Sequence, residues 1–225
     1  MKKKTLTTFL LMLVIITSSI AQDFKVNINK LTEETQQLSE SPDTMRLIWW
    51  IPTEFWQTIF EQDNTISRLE ANEMLNNFDK YTMVAVIDGD IKDDGTIKYR
   101  TEETTFKNLV VIGNDKVEYT PLYNDEVDEA TRNLINIMKP MLGNMLGALG
   151  QNMHFYLFQK RDNPLDKIVN PINKESFTVK LDKDNFNWSL PLGSLLKPKK
   201  CPEDNKLHNG SWNYCPYHGK KLEIN

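Results

Sequence analysis

The chain has 225 residues, 40% of them hydrophobic and 26% charged, with ten prolines, nine glycines and two cysteines. This composition excludes a disordered tail, a collagen-like repeat and a disulfide-dense miniprotein, and it suits one main globular domain. The formal net charge is −4.

Lys2, Lys3 and Lys4 precede the apolar run Phe9-Leu10-Leu11-Met12-Leu13-Val14-Ile15-Ile16, and small residues then lead to Ala21. A basic start, a short apolar stretch and a small-residue end are the marks of a secretory signal peptide, expected here over residues 1–21. No later run reaches the eighteen apolar residues of a membrane span, so the mature chain is expected to lack a transmembrane helix and to be periplasmic or secreted. Removing the signal takes away three lysines and moves the net charge to −7. An acidic exported chain is a poor nucleic-acid ligand. Charge is unevenly spread, because 197–225 carries a net +3 and the body −10. The tail lysines read as a solvated surface that can lie against its own acidic body.

Residues 22–44 are rich in Glu, Gln and Ser and are expected to be a flexible segment. A main domain then spans 45–196. Met45-Arg46-Leu47-Ile48-Trp49-Trp50-Ile51 is a β-branched and aromatic run stopped by Pro52 and predicts a buried strand. Thr53 is expected to cap a helix with Phe55, Trp56, Ile59 and Phe60 at helical spacing. Ser67 with Glu70 has the spacing of a capping box at the start of a second helix.

From Tyr81 the apolar period shortens to two. Met83-Val84-Ala85-Val86-Ile87, Ile97-Lys98-Tyr99-Arg100, Leu109-Val110-Val111-Ile112 and Val117-Glu118-Tyr119 read as strands separated by Asp, Gly and Asn turns, and Pro121 ends the series. His154 to Phe158, Phe177 to Leu181 and Phe186 to Leu190 add three more. Asp88, Asp90, Asp93 and Asp94 offer hard oxygen ligands in calcium-like spacing, but without the bidentate Glu of an EF-hand loop they read better as a solvated hairpin. Between the strands, Leu134, Ile135, Met138, Met141, Leu142, Met145, Leu146 and Leu149 keep a 3.6-residue period, with Pro140 expected to kink the helix. The expectation is an α+β chain: an antiparallel immunoglobulin-like β-sandwich with N-terminal helices, a helical insertion and a small C-terminal hairpin.

Chemistry concentrates in 197–225. Cys201-Pro202-Glu203-Asp204-Asn205 and Cys215-Pro216-Tyr217-His218-Gly219 are spaced as two metal knuckles, in which a Cys and a second ligand three residues on wrap a tight turn around an ion. The second element is complete, with its turn glycine. The first has Asp204 at the second ligand position and Asn205 at the glycine position. This tail, about the last 25 residues, resembles the C-terminal zinc ribbon of bacterial proteins that end in CPxCG…WxYCPxCGxxL. The resemblance puts Cys201, Asp204, Cys215 and His218 on the ligand positions, with His208 the other residue able to close a tetrahedron around zinc. The body, with its Trp49-Trp50-Ile51-Pro52 stretch, is similar to uncharacterised exported bacterial proteins, which implies no activity.

A Cys201–Cys215 disulfide is the alternative staple for an exported chain. Closing that loop stabilises by about 3 kcal/mol in the chain-entropy model. Zinc is favoured because His218 occupies a ligand position that a disulfide leaves unexplained. Met138, Met141, Met145 and Met153 beside His154 suggest a soft copper site, but Met among Leu and Ile at helical spacing is the signature of core packing. Trp49, Trp50 and Trp56 sit among apolar residues and read as core rather than as a ligand groove.

No nucleophile elbow, phosphate loop or dinucleotide fingerprint is present. The expected function is therefore non-enzymatic: an exported binding or scaffold module for a protein or envelope partner. A hydrolase-like enzyme with a cleft invisible to linear pattern is the competing class.

Overall fold

The computed structural model describes residues 24–224, so the expected signal peptide lies outside the described residues. In chain order the body contains α1 (Ile28–Thr35), β1 (Gln36–Leu38), β2 (Thr44–Ile51), α2 (Thr53–Gln62), α3 (Arg68–Asp79), β3 (Thr82–Ile91), β4 (Ile97–Tyr99), α4 (Glu102–Asn108), β5 (Leu109–Ile112) and β6 (Glu118–Tyr119). It continues with α5 (Glu129–Met145), β7 (His154–Phe158), β8 (Ser176–Leu181) and β9 (Asp184–Ser189). The tail adds β10 (Lys199–Lys200), β11 (Leu207–His208) and β12 (Glu223–Ile224). The chain is thus α+β with antiparallel sheets. Among the described residues no helix is long and apolar enough to cross a membrane.

Strands β1, β2, β3 and β4 pair in that order, and β7 shares the outer edge of β3 with β4. β7 takes Thr82 to Val86 and β4 takes Gly89 to Ile91, so two short strands end to end cover one long one. A second sheet runs β6-β5-β8-β9.

The two sheets meet because β2 is apolar on both faces. Successive side chains of a strand point in opposite directions. Trp49 faces the helices, where its Nε1 donates to Thr35 Oγ1 at 3.2 Å and its ring meets Phe55 edge-on at 5.2 Å. Trp50 faces the second sheet, edge-on to Phe177 at 4.7 Å, with Trp188 stacked on Phe177 at 5.0 Å. Such pairs stabilise by about 0.5–1.5 kcal/mol beyond their buried area. Trp56 stacks on Phe78 and ties α2 to α3. The three tryptophans of the sequence run are therefore core, as their neighbours indicated.

Within the segment 22–44 expected to be flexible, the described residues 24–44 include a helix and a strand. Asn27 caps α1 with its side chain, Leu31 and Thr35 are fully buried, and β1 pairs with β2 from Gln36 to Leu38. Two buried positions one turn apart suffice to dock a short amphipathic helix, and a residue count over the whole segment dilutes that signal. The Ser67 and Glu70 capping box forms in both directions. Pro52, rather than Thr53, takes the cap position of α2, and no side chain caps it. α5 continues through Pro140 and gives way to a 3-10 turn, Gly147–Asn152. Leu134 and Leu142 on α5 are buried, and Met138, Leu146 and Leu149 pack against the same core. The wide apolar face of the insertion is thus largely covered by its own body. Met153 is core and Met141 is exposed, so the methionines do not share one environment.

The aspartates expected in a solvated turn divide. Asp94 lies in the turn, accepting the Thr96 amide at 3.0 Å, but β3 runs on through Asp88 and Asp90. Asp88 is opposite Arg46 on β2, and both are buried. Arg46 Nε donates to Asp88 Oδ1 at 3.0 Å, while its two terminal nitrogens reach Asp182 and Asp184 at 2.6 and 2.7 Å. Asp182 sits at the β8–β9 turn with φ of 53°, so this guanidinium pins the hairpin of the second sheet to the centre of the first. Arg100 joins the cluster through Asp90 at 2.9 Å and through Asp182. Burial disfavours the Arg46 charge, but the carboxylates around it outweigh that and hold its pKa above the ordinary value.

Arg46→Met is expected to cost about 3–5 kcal/mol in denaturant unfolding, because a buried carboxylate loses its partner. Adding Asp88→Leu is expected to recover part of that loss. A second prediction concerns Glu54 on α2, whose Oε2 is buried without a hydrogen-bond partner. Burial pushes its carboxyl above the usual range, against the pull of its own amide and of Lys167. A raised folded-state pKa means the stability is whole below the ordinary glutamate pKa and falls as pH rises through the raised value. Glu54→Gln should therefore be more stable than the parent at neutral pH, by about 1 kcal/mol, and the gain should vanish in thermal melts below about pH 4.

Candidate metal centre

The tail is a three-stranded sheet, β11-β10-β12, from which two turns project. The turns share one backbone pattern. In the first, the Cys201 amide donates to Lys206 O and the Asn205 amide to Cys201 O, each at 2.9 Å. In the second, the Cys215 amide donates to Lys220 O at 2.8 Å and the Gly219 amide to Cys215 O at 2.9 Å. Asn205 and Gly219 occupy the same left-handed position, with φ of 61° and 63°. Asparagine tolerates that region better than most side chains, so its replacement of glycine leaves the first knuckle formed.

The backbone amides of Glu203 and Asp204 favour a negative sulfur at Cys201, and those of Tyr217 and His218 favour one at Cys215. Amide donors lower the cost of a negative sulfur, which a metal thiolate carries and a disulfide does not. Burial raises the thiol pKa of both. At Cys201 it prevails. At Cys215 the His218 and Tyr217 amides, with Cys201 and His218 themselves, outweigh it and hold the thiol below its ordinary value. Both cysteines are free and, with Leu222, form a small core of the tail's own.

Donor atoms converge from both turns. The ligand atoms of Cys201, Cys215 and His218 lie within 4.8 Å of one another, and so do those of Cys201, Asp204 and His208. His218 Nδ1 is 3.4 Å from Cys201 Sγ and 3.6 Å from Cys215 Sγ. Ordinary zinc–sulfur and zinc–nitrogen bond lengths at a tetrahedral angle put sulfur and nitrogen roughly 3.6 Å apart. The three groups therefore already stand at the separations of a shared ion. Of the four residues that the resemblance placed on ligand positions, Cys201, Cys215 and His218 form one triad, while Asp204 forms a second with Cys201 and His208.

The pattern of the tail gave no hint of what holds it to the body. Glu34 of α1 does this. Its Oε2 accepts from Ser194 N at 2.9 Å and Ser194 Oγ at 2.6 Å, its Oε1 accepts from Asn209 Nδ2 at 3.1 Å, and its carbonyl accepts from Trp188 Nε1 at 3.0 Å. A Cβ on Gly193 would stand 1.7 Å from Asn209 Oδ1, so only glycine allows this approach. Glu34 lies in the stretch that composition assigns to a flexible segment.

A second polar cluster lies at the other end of the body. His154 Nδ1 is 3.2 Å from Glu102 Oε2 but not aligned for a hydrogen bond. Burial holds this imidazole below its usual pKa against the pull of Glu102. A cleft of about 420 Å³ lies nearby, lined by Glu102, Arg132, Lys139, Phe155 and Leu157 among others. Among the described residues no hydroxyl or thiol hydrogen-bonds to His154.

No protein-family model matches this chain, and neither a curated protein nor a solved structure is significantly similar to it. The tail's attachment is directly testable. Glu34→Ala should remove about 2 kcal/mol or more of stability, given three side-chain hydrogen bonds to a charged group. Limited proteolysis should then cut the 196–200 segment faster while the body stays resistant.

Proposed function

We propose that the protein is an exported, non-enzymatic binding or scaffold module whose C-terminal tail is a zinc-ribbon-like hairpin closed by a structural zinc. The observation that carries this reading is the convergence of Cys201, Cys215 and His218 at tetrahedral separations from two turns of matching backbone. Asp204 and His208, which form a second triad with Cys201, are the candidates for the fourth donor. A closed site with four protein ligands is structural, since a catalytic zinc keeps a position open for water or substrate. When bound, the ion supplies folding energy to a segment whose own core is three side chains.

The body fits a scaffold role. Its paired sheets, joined through Trp50, Phe177 and Trp188, support a sandwich of the immunoglobulin-like kind on which a protein or envelope component would dock. The Lys2-Lys3-Lys4 start and apolar run support export.

Metal analysis of the purified full-length protein tests the zinc reading. One zinc per chain is expected, with two thiols becoming reactive only after chelation, and Cys215→Ser should abolish the zinc. A chain without metal and without free thiols would be disulfide-bonded and would overturn the proposal, as would a metal-free chain with two freely reactive thiols.

A further inference from the structure

Two triads share Cys201, so Asp204 and His208 compete for the fourth place beside Cys201, Cys215 and His218. Superposing the two turns by their backbone pattern makes Asp204 the counterpart of His218, each three residues past its cysteine. The Asp204 carboxylate is engaged within its own turn, however. Its Oδ1 accepts the Lys206 amide at 3.1 Å, and its Oδ2 faces Lys206 Nζ at 3.6 Å.

His208 comes from outside both turns, on β11, where the ladder pairs it with Lys199 two residues before Cys201. Its Nε2 is 3.6 Å from Cys215 Sγ, the same separation that His218 Nδ1 keeps from that sulfur. This again equals the sulfur–nitrogen edge of a zinc tetrahedron, roughly 3.6 Å. Two aromatic rings neighbour the imidazole. Trp212 stacks on it at 6.1 Å with 27° between planes, and Tyr217 lies 6.0 Å away at 39°. Neighbouring rings restrict the orientations open to an imidazole, which favours a well-placed ligand. Nitrogen is also the donor that structural zinc takes beside thiolate.

We propose that His208, and not Asp204, supplies the fourth bond to the metal, giving a site of two thiolates and two imidazoles with Trp212 and Tyr217 packed against the second imidazole. This rests on the zinc reading above and names its ligand set. It also assigns the Trp212 ring a purpose that the knuckle pattern alone does not explain: it orients a ligand.

Cobalt(II) titration of the full-length apo-protein and its variants separates the possibilities, read by the visible spectrum and by competition with a chelator. The parent is expected to bind one cobalt with the intense bands of tetrahedral coordination and thiolate charge transfer. Asp204→Asn should keep that spectrum and bind within about threefold of the parent. His208→Asn should weaken binding by at least 100-fold, more than loss of an outer-shell partner causes. His208→Cys, which restores a soft donor at the same place, should bind tightly again with stronger thiolate bands, and this guards against a folding defect in the asparagine variant. Retained binding in His208→Asn, or weakening of similar size in Asp204→Asn, would overturn the assignment while leaving the metal reading intact. A parent that binds no cobalt would overturn the metal reading itself.

Discussion

One strand sets the architecture. Trp49 and Trp50 are adjacent on β2, both almost wholly buried, and neighbouring side chains of a strand must leave by opposite faces. Neither face of β2 can then meet water. The helices α1 and α2 cover one side, and the second sheet covers the other. The charged cluster follows from the same constraint. Arg46, four residues before Trp50, projects toward the second sheet as Trp50 does, and the only way to hold a guanidinium there is to surround it with carboxylates. Asp88 comes from the adjacent strand, and Asp182 and Asp184 come from the hairpin opposite. Aromatic rings supply the attraction between the sheets, and the arginine sets where the β8–β9 hairpin sits.

Local pattern found what local pattern determines. The strand at 45–52, the Ser67 capping box, the period-two segments after Tyr81 and the two Cys-Pro turns are each written within ten residues or fewer, and all are present. What escaped depends on partners distant in the chain. Asp88 resembles a turn residue until Arg46 is known to lie opposite it. Glu34 sits in a polar run, and its importance comes from Ser194 and Asn209, more than 150 residues away. The helix α1 was hidden for a related reason, since its buried face consists of two residues whose cover comes from elsewhere in the fold. Antiparallel sheets were legible, but their strand order was not, because β7 returns to the first sheet after the whole of α5.

The tail shows the same division at smaller scale. The Cys, Pro and His spacings announced two turns, and Asn205 and Asp204 made the first look incomplete. The backbone restores it, since Asn205 adopts the left-handed conformation and the Glu203 and Asp204 amides still favour a negative sulfur. His208 carried little weight in the pattern, because its role depends on β11 lying beside β10 and on two rings that neighbour it. Anchored by Glu34 on one side and with only a three-residue core of its own, the tail would, under the proposed zinc reading, depend on its donor cluster for order. The body, with its own aromatic seam, does not.

Hydrogen exchange with and without a chelator tests that dependence most directly. Metal removal is expected to expose the amides of Cys201, Asn205, Cys215 and Gly219 to rapid exchange while those of β2 and β3 remain protected. Unchanged protection of the four tail amides after complete metal removal, or in a protein purified without metal, would contradict the account.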